Sequence, residues 1–288
     1  MPVVTVGIPF HDEERFLEQA VRSVLAQTFD DLEILLVDDG STDRSLEIAR
    51  SFSDPRVVVV PPDGHRRFLA ARLNQITRLA RGELVARMDG DDVSHPARLA
   101  RQIAVLRDDP TCDAVGTWIA LVAEDEQPFA VVEAAQVPAT LAVALSRGLF
   151  SHATLVGRRA WLEANPYDES LTRAEDRDLW CRTVLTSRFQ IVADPLYVVR
   201  TRARDSSFLR DYLQSQQQNR ELFVRYGKPA MGVRRAAMHW AASHAKGAIM
   251  RLAVHAGLAT RLVRRRGRIP TAHERELIRE AVAAGRAA

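Results

Sequence analysis

Short apolar runs alternate with amphipathic stretches along the first third of the chain. Residues 3 to 8, 32 to 37, 56 to 60 and 83 to 88 are rich in Val, Ile and Leu, as buried parallel strands require. Between them, near 13 to 27, 42 to 52, 67 to 80 and 96 to 108, apolar positions recur at helical spacing. In the first of these helices Phe16, Leu17, Ala20, Val21, Val24 and Leu25 form one stripe. Glu13 and Glu14 fall in its first turn, where the helix dipole favours anions. Such alternation predicts an α/β fold with a mostly parallel sheet and crossover helices.

After Pro110 the pattern changes. Runs at 113 to 123 and 128 to 135, joined by Glu124-Asp125-Glu126-Gln127, predict a hairpin rather than another crossover unit. A short strand near Ala153 to Val156, a helix from about Arg173 to Ser187, and strands near 189 to 193 and 196 to 201 follow. Beyond Asp205 the chain is rich in Arg and Ala, and helices are predicted over 206 to 226 and within 231 to 263. The expected division is an α/β body over residues 1–205, with halves at 1–110 and 111–205, and a helical extension over 206–288.

Charge separates these parts further. Net charge is +3, yet residues 1 to 200 hold 22 Lys plus Arg against 31 Asp plus Glu, whereas residues 201 to 288 hold 18 against 6, a net +12. A basic extension on an acidic body suggests an anionic partner. In that extension Met238, Ala241, Ala242, Ala245, Ile249 and Leu252 recur at helical spacing among Arg234, Arg235, Lys246, Arg251, Arg261, Arg264, Arg265, Arg266 and Arg268. An amphipathic helix of this kind suits an anionic membrane surface. Packing of the stripe on the body or on a second copy is the alternative. Scarce aromatic residues and the lack of a recognition motif in the extension argue against nucleic acid.

Composition adds less. With 47% hydrophobic and 27% charged residues the chain reads as an ordinary globular protein. Two cysteines, Cys112 and Cys181, are too few for a disulfide framework and lack metal-ligand spacing. Neither a secretory leader nor an apolar run approaching the ~18 residues of a membrane span is visible. The expected location is the cytoplasm, with peripheral attachment to the inner face of the membrane through the extension.

Two strand ends carry the candidate chemistry. The run at 83 to 88 stops at Asp89-Gly90-Asp91-Asp92, and the run at 32 to 37 stops at Asp38-Asp39-Gly40-Ser41-Thr42-Asp43. Three carboxylates within four residues repel one another, and a hard divalent cation relieves that repulsion. A solvated acidic turn is the bland reading of either cluster. In open α/β sheets, however, ligands bind beyond the carboxyl ends of strands, so the two ends are expected to share one crevice.

Several linked motifs in a fixed order resemble the family 2 glycosyltransferases of bacterial surface-polysaccharide synthesis. They are Val6-Gly7-Ile8-Pro9-Phe10-His11-Asp12, Ala26-Gln27-Thr28-Phe29, Val37 to Asp43, Arg81 to Asp92 and Arg98-Leu99-Ala100-Arg101-Gln102. The resemblance covers roughly residues 3 to 207. It implies a GT-A fold, an inverting mechanism and a nucleotide-diphosphate sugar donor held through Mn2+ or Mg2+, with residues 1–110 as the nucleotide-binding half and 111–205 as the acceptor-binding half. The acceptor would be a glycan or a lipid-linked glycan.

Carried over residue by residue, the resemblance places Asp89 and Asp91 in the D-x-D positions, with Asp91 or Asp92 on the metal. Pro9, His11 and Asp39 fall beside the nucleobase, and a UDP donor is preferred because a pyrimidine suits that group. Asp38 is expected either to orient its loop through Ser41 or Thr42 or to touch donor. Arg66 or Arg67, before the helix containing Asn74, would reach the diphosphate, with Arg67 taken as the donor contact. Ala174-Glu175-Asp176-Arg177-Asp178-Leu179-Trp180 resembles the family's E-D motif, with Asp176 as general base and Glu175 beside it. Ser151-His152-Ala153-Thr154 resembles the His-x-Thr strand near the reaction centre, a core histidine being the alternative.

The chain also departs from the family's pattern. His11 replaces a common aromatic residue, and Arg202 stands where a histidine often follows the terminal Tyr197 to Arg200 strand. An arginine there cannot ligate a cation and would contact phosphate instead. Gln217 and Arg220 lack the Trp of the processive Q-x-x-R-W motif, so one sugar per encounter is expected. Competing readings are a sugar-nucleotide nucleotidyltransferase, a response-regulator-like module and a non-catalytic glycan-binding relative. The second acidic strand end and the E-D motif follow from none of the first two.

Overall fold

A computed structural model describes residues 1–123, 126–201, 206–259, 262 and 267–286, with the side chains of 206 and 207 left aside. Strands β1 (Val4–Phe10), β2 (Leu32–Asp38), β3 (Val57–Val59) and β4 (Leu84–Arg87) alternate with helices α1 (Leu17–Leu25), α2 (Ser45–Ser51) and α3 (Phe68–Leu79). β1 lies between β2 and β4, parallel to both, and β3 extends the parallel part beyond β2. Every residue of β1, β2 and β4 is buried, which explains their continuous apolar character. Close packing of α3 on β1 requires Gly7, since a Cβ there would lie 2.4 Å from Cγ2 of Ile76.

The second half adds β5 (Val93–Ser94), α4 (Arg98–Asp108), β6 (Ala114–Val122), β7 (Pro128–Val132), α5 (Leu141–Arg147), β8 (Val156–Arg158), α6 (Arg159–Ala164), α7 (Glu175–Thr183) and β9 (Phe189–Arg200). The sheet runs β3-β2-β1-β4-β8-β6-β9-β5, with β7 paired antiparallel to β6. The expected hairpin is therefore present, although Glu124 and Asp125 of its connection lie outside the described residues.

Three expectations need correction. The strand placed near Ala153 to Val156 is a 3-10 turn, His152–Thr154, followed by the short β8, because the Thr154 N–H closes onto Ser151 instead of joining the ladder. The two strands placed at 189 to 193 and 196 to 201 are one strand, β9. Its register against β6 jumps between Val192 and Tyr197, and this bulge absorbs Pro195 and leaves Asp194 to pair with Arg101 at 2.5 Å. The first helix begins at Leu17, so Glu13 and Glu14 lie in the turn before it.

At the C-terminus α8 (Ser206–Met231) and α9 (Val233–His255) pack on each other, and α8 also packs on α5 and α7. A further helix not predicted from the sequence, α10 (Ala272–Arg286), crosses back onto α1, β5 and β9. Its Ile278 and Ala281 are buried with Val93, Ala120, Val122 and Val198. Arg261, Arg264, Arg265 and Arg266 lie outside the described residues. Among the described residues no helix is long and apolar enough to cross a membrane.

Candidate functional site

The carboxyl ends of β1, β2 and β4 open into a cavity of about 680 Å3 whose far wall is α8. Pro9, His11, Asp39, Asp89 and Asp91 all line it, so the structure brings the two acidic strand ends together. The lining carries six arginines and six carboxylates. It is a mixed-charge site rather than a purely cationic one.

Asp38 and Asp39 build the floor. Asp38 is buried, and its Oδ1 accepts the Ser41 N–H at 3.0 Å, which is the loop-orienting one of the two roles open to it from the sequence. Asp39 accepts the N–H groups of Arg67 and Phe68 at 2.7 and 3.1 Å and pairs with Arg72 Nε at 2.8 Å. It thereby holds the start of α3 against the end of β2, where Phe68 takes the left-handed conformation, φ 65°. Arg72 also pairs with Asp63 at 2.8 Å, so its guanidinium is fixed from two sides. The Arg67 guanidinium sits on Asp63 at 2.5 Å and is half exposed; it is Arg66, stacked over the Phe68 ring, that lines the cavity. His11 sits beside Asp12, with Nε2 to Oδ2 at 3.3 Å, and its buried Nδ1 has no partner among the described residues.

Asp89, Asp91 and Asp92 place carboxylate oxygens within 4.8 Å of one another. Arg87 binds both oxygens of Asp89, at 2.9 and 2.5 Å. Asp92 is buried, and burial, Asp91 and Asp89 together raise its pKa well above the ordinary carboxylate range. The Arg200 N–H at 3.2 Å and the Tyr197 hydroxyl only partly offset this. Excess negative charge on oxygen ligands is the environment a divalent cation stabilises.

A second cavity, of about 550 Å3, adjoins the first, and Arg87 and Asp89 line both. Asp176 and His152 face the second cavity. Asp176 lies at the start of α7, where its Oδ1 accepts the Arg177 N–H at 2.7 Å. Glu175 does not line the cavity; it is buried, and burial together with Asp176 pushes its carboxyl up to about 7. His152 Nε2 lies 2.7 Å from the Tyr167 hydroxyl, and burial and Arg87 push its pKa well down, so the ring is neutral. His152 is thus both a satisfied core histidine and a wall of this cavity. Asn74 is structural: its amide takes the Tyr167 backbone and Glu169.

Four contributions have no role assigned from the sequence, although the strand from Tyr197 to Arg200 is singled out by the resemblance. Arg87 follows an apolar run directly, and that abrupt charge at the end of β4 was the available signal. Arg200 is buried, bonds the Asp91 carbonyl and also reaches Gln19 at 2.6 Å. Tyr197 accepts the Asp89 N–H at 2.9 Å. The fourth is α8, which supplies Phe208, Arg210, Asp211, Tyr212 and Ser215 to the first cavity, and whose Gln214 and Gln218 hold Thr172 and the Arg173 N–H just before α7. No local pattern announces those pairings. Arg202 lies outside the described residues.

A model of glycosyl transferase family 2 matches residues 5–135. The putative glycosyltransferase EpsE of Bacillus subtilis is 33% identical over 189 residues, which span 63% of this chain and 66% of that relative. Among solved structures, S. aureus TarS residues 1–349 in complex with UDP-GlcNAc superposes with a TM-score of 0.60 at 18% identity, over 78% of this chain and 67% of that one. The mannosyltransferase PcManGT from Pyrobaculum calidifontis, in complex with GDP-Man and Mn2+, gives a TM-score of 0.60 at 21% identity over 99% of this chain and 87% of that one. These two likenesses are likenesses of fold, and the fold is GT-A.

Proposed function

This chain belongs to the family 2 glycosyltransferases, and from that premise we propose that it moves one sugar from a nucleotide-diphosphate sugar to a hydroxyl of a glycan or lipid-linked glycan, with inversion. The observation that carries the reading is the pair of adjoining cavities with Arg87 and Asp89 in their common wall and Asp176 in the second. Inversion needs that layout: donor on one side, and a carboxylate on the other to take the acceptor's proton as its oxygen attacks the anomeric carbon.

The first cavity suits the donor in size and charge. Pro9, His11 and Asp39 would flank the base, and the unpartnered His11 Nδ1 offers it a polar contact. We take the base to be uracil; the fold neighbours were solved with UDP-GlcNAc and with GDP-Man. Arg66, Arg173 and Arg200 face the same space and would meet the diphosphate. The three-carboxylate set fits Mn2+ or Mg2+, and Asp91 and Asp92 would hold it because Arg87 already occupies both oxygens of Asp89. Bound there, a divalent cation supplies electrostatic stabilisation to the departing nucleotide diphosphate.

In the second cavity Asp176 accepts the proton of the acceptor hydroxyl. Glu175, its buried neighbour, has its carboxyl pushed up to about 7, and in the protonated form it adds no charge next to Asp176. Release of product leaves Asp176 to lose its proton to solvent.

The test is a screen of UDP-, GDP- and dTDP-sugars with and without Mn2+ or Mg2+, read by thermal shift and by release of nucleoside diphosphate. One donor class should raise the melting temperature by mass action in the presence of metal, and release diphosphate when acceptor is added. Stabilisation without any release of diphosphate would mark a binding protein. Release of pyrophosphate from a nucleoside triphosphate and a sugar phosphate would mark a nucleotidyltransferase.

A further inference from the structure

The apolar stripe of α9 faces away from the body. Met238, Ala241, Ala242, Ala245, Ile249 and Leu252 are all exposed, Met238 at 69%, Ile249 at 55% and Leu252 at 71%. The face that packs inward is made instead of Ala236, Ser243, Gly247, Met250 and Ala253. Mostly small inward residues, with Met250 the exception, let α9 sit close on α8, and Met238, Ile249 and Leu252 are left in water. Packing of the stripe on the catalytic body, one of the three outcomes open from the sequence, is not what the described residues do.

The stripe occupies an arc of about 100° at 3.6 residues per turn. Arg235 and Lys246 flank one edge and Arg234 falls within the arc, whereas Arg251 is turned toward the cleft with α8. α9 contains no Asp or Glu. The cleft of about 470 Å3 between α8 and α9 carries Arg210, Arg220, His244 and Arg251 and no carboxylate among its described lining. A two-fold pairing of this face with a second copy would set cations against cations at short range. An anionic lipid surface offers the opposite charge to the flanks and a hydrocarbon boundary to the stripe.

We propose that the outer face of α9 docks on an anionic bilayer, with Met238, Ile249 and Leu252 entering the headgroup boundary and Arg234, Arg235 and Lys246 meeting lipid phosphates. Because α8, on which α9 packs, forms a wall of the first cavity, docking also sets that cavity close to the lipid surface. The inference stands on the exposed face and its charge, and does not depend on the reaction assigned above.

The full chain is sedimented with vesicles of phosphatidylcholine containing or lacking phosphatidylglycerol, at low and high salt. Binding is expected only to the vesicles with phosphatidylglycerol, falling as salt rises. Ile249→Asp with Leu252→Asp should abolish it, and Arg235→Glu with Lys246→Glu should weaken it on the order of tenfold or more. These positions are exposed, so the variants keep their melting temperature. No binding at low salt overturns the proposal, as does binding that the Asp substitutions leave unchanged. A dimer seen by analytical ultracentrifugation that Ile249→Asp dissociates, without vesicle binding, would assign the face to self-association instead.

Discussion

The hydroxyl of Tyr197 accepts the backbone N–H of Asp89 at 2.9 Å, across 108 residues of chain. Tyr197 is fully buried in β9, and the same hydroxyl bonds the Asp92 carboxylate. The last strand of the α/β body therefore fixes the shape of the acidic loop that follows β4, while the next residues of that strand supply the Arg200 N–H to Asp92.

Tyr197→Phe should expose the value of that bond. The ring still fills its space, but a buried N–H loses its acceptor, at a cost of about 1–3 kcal/mol. Stability in urea should fall by that amount, and Mn2+ affinity should fall with it as the loop loosens. An unchanged Mn2+ titration would separate loop order from metal binding.

Metal dependence is the outcome expected of the three carboxylates gathered at Asp89, Asp91 and Asp92. Donor turnover should cease in excess chelator and return with Mn2+ or Mg2+, and Asp91→Asn or Asp92→Asn should nearly abolish it. Asp92→Asn has a second signature. Removing a buried, repelled carboxylate should leave the apo protein as stable as the parent or more so, in a thermal melt without metal. Full turnover in chelator would overturn the assignment.

Much of this arrangement is legible in the sequence because it is local. Acidic residues gathered at a strand end, such as Asp38-Asp39 and Asp89 to Asp92, or at a helix start, such as Glu175-Asp176, announce themselves within a few positions. Parallel strands and crossover helices follow from hydrophobic period alone. What stays hidden is what the sheet brings together from afar: Tyr197 under Asp89, and Gln218 on the Arg173 N–H. The β9 bulge is hidden for another reason, since Pro195 reads locally as a strand break. The stripe on α9 was visible, yet periodicity cannot say whether an apolar face turns inward. Only the residues buried on the opposite side, Ala236, Ser243, Gly247, Met250 and Ala253, decide it.

Asp176→Asn tests the base. Transfer should fall by about 10²-fold or more while donor and metal still raise the melting temperature. The residue lines the second cavity and not the first, so loss of donor binding in this variant would move Asp176 into the donor site and defeat the two-cavity reading.

Glu175 gives a pH-dependent prediction. Its carboxyl is pushed up to about 7 by burial and by Asp176, from an ordinary value of 4.5. In the unfolded chain it ionises near 4.5, so between there and about 7 the folded state binds the extra proton, and stability falls as pH rises through that window. Glu175→Gln carries no such penalty. It should melt about a few degrees above the parent at pH 8, and the advantage should vanish by pH 4.5. A constant difference across that range would mean that Glu175 is not the group being titrated.

The C-terminal helix α10 yields the last prediction, because its position changes what truncation means. Ile278 is 1% exposed and packs with Val93, Ala120, Val122 and Val198, next to the acidic loop on one side and the end of β9 on the other. Arg286 bonds Glu126, which also pairs with Arg200 at 2.9 Å, so α10 is joined to the buried arginine beneath Asp91. Ile278→Ala should destabilise the protein by about 2–5 kcal/mol, the range for emptying a buried Ile site. Removing everything after Tyr226 strips the end of α8 together with α9 and α10, and should lower the melting temperature of the whole body and impair metal binding. Vesicle binding must therefore be tested with surface substitutions on α9 in the full chain. If the truncated protein melted as the parent does, α10 would be a passenger on the sheet rather than part of its support.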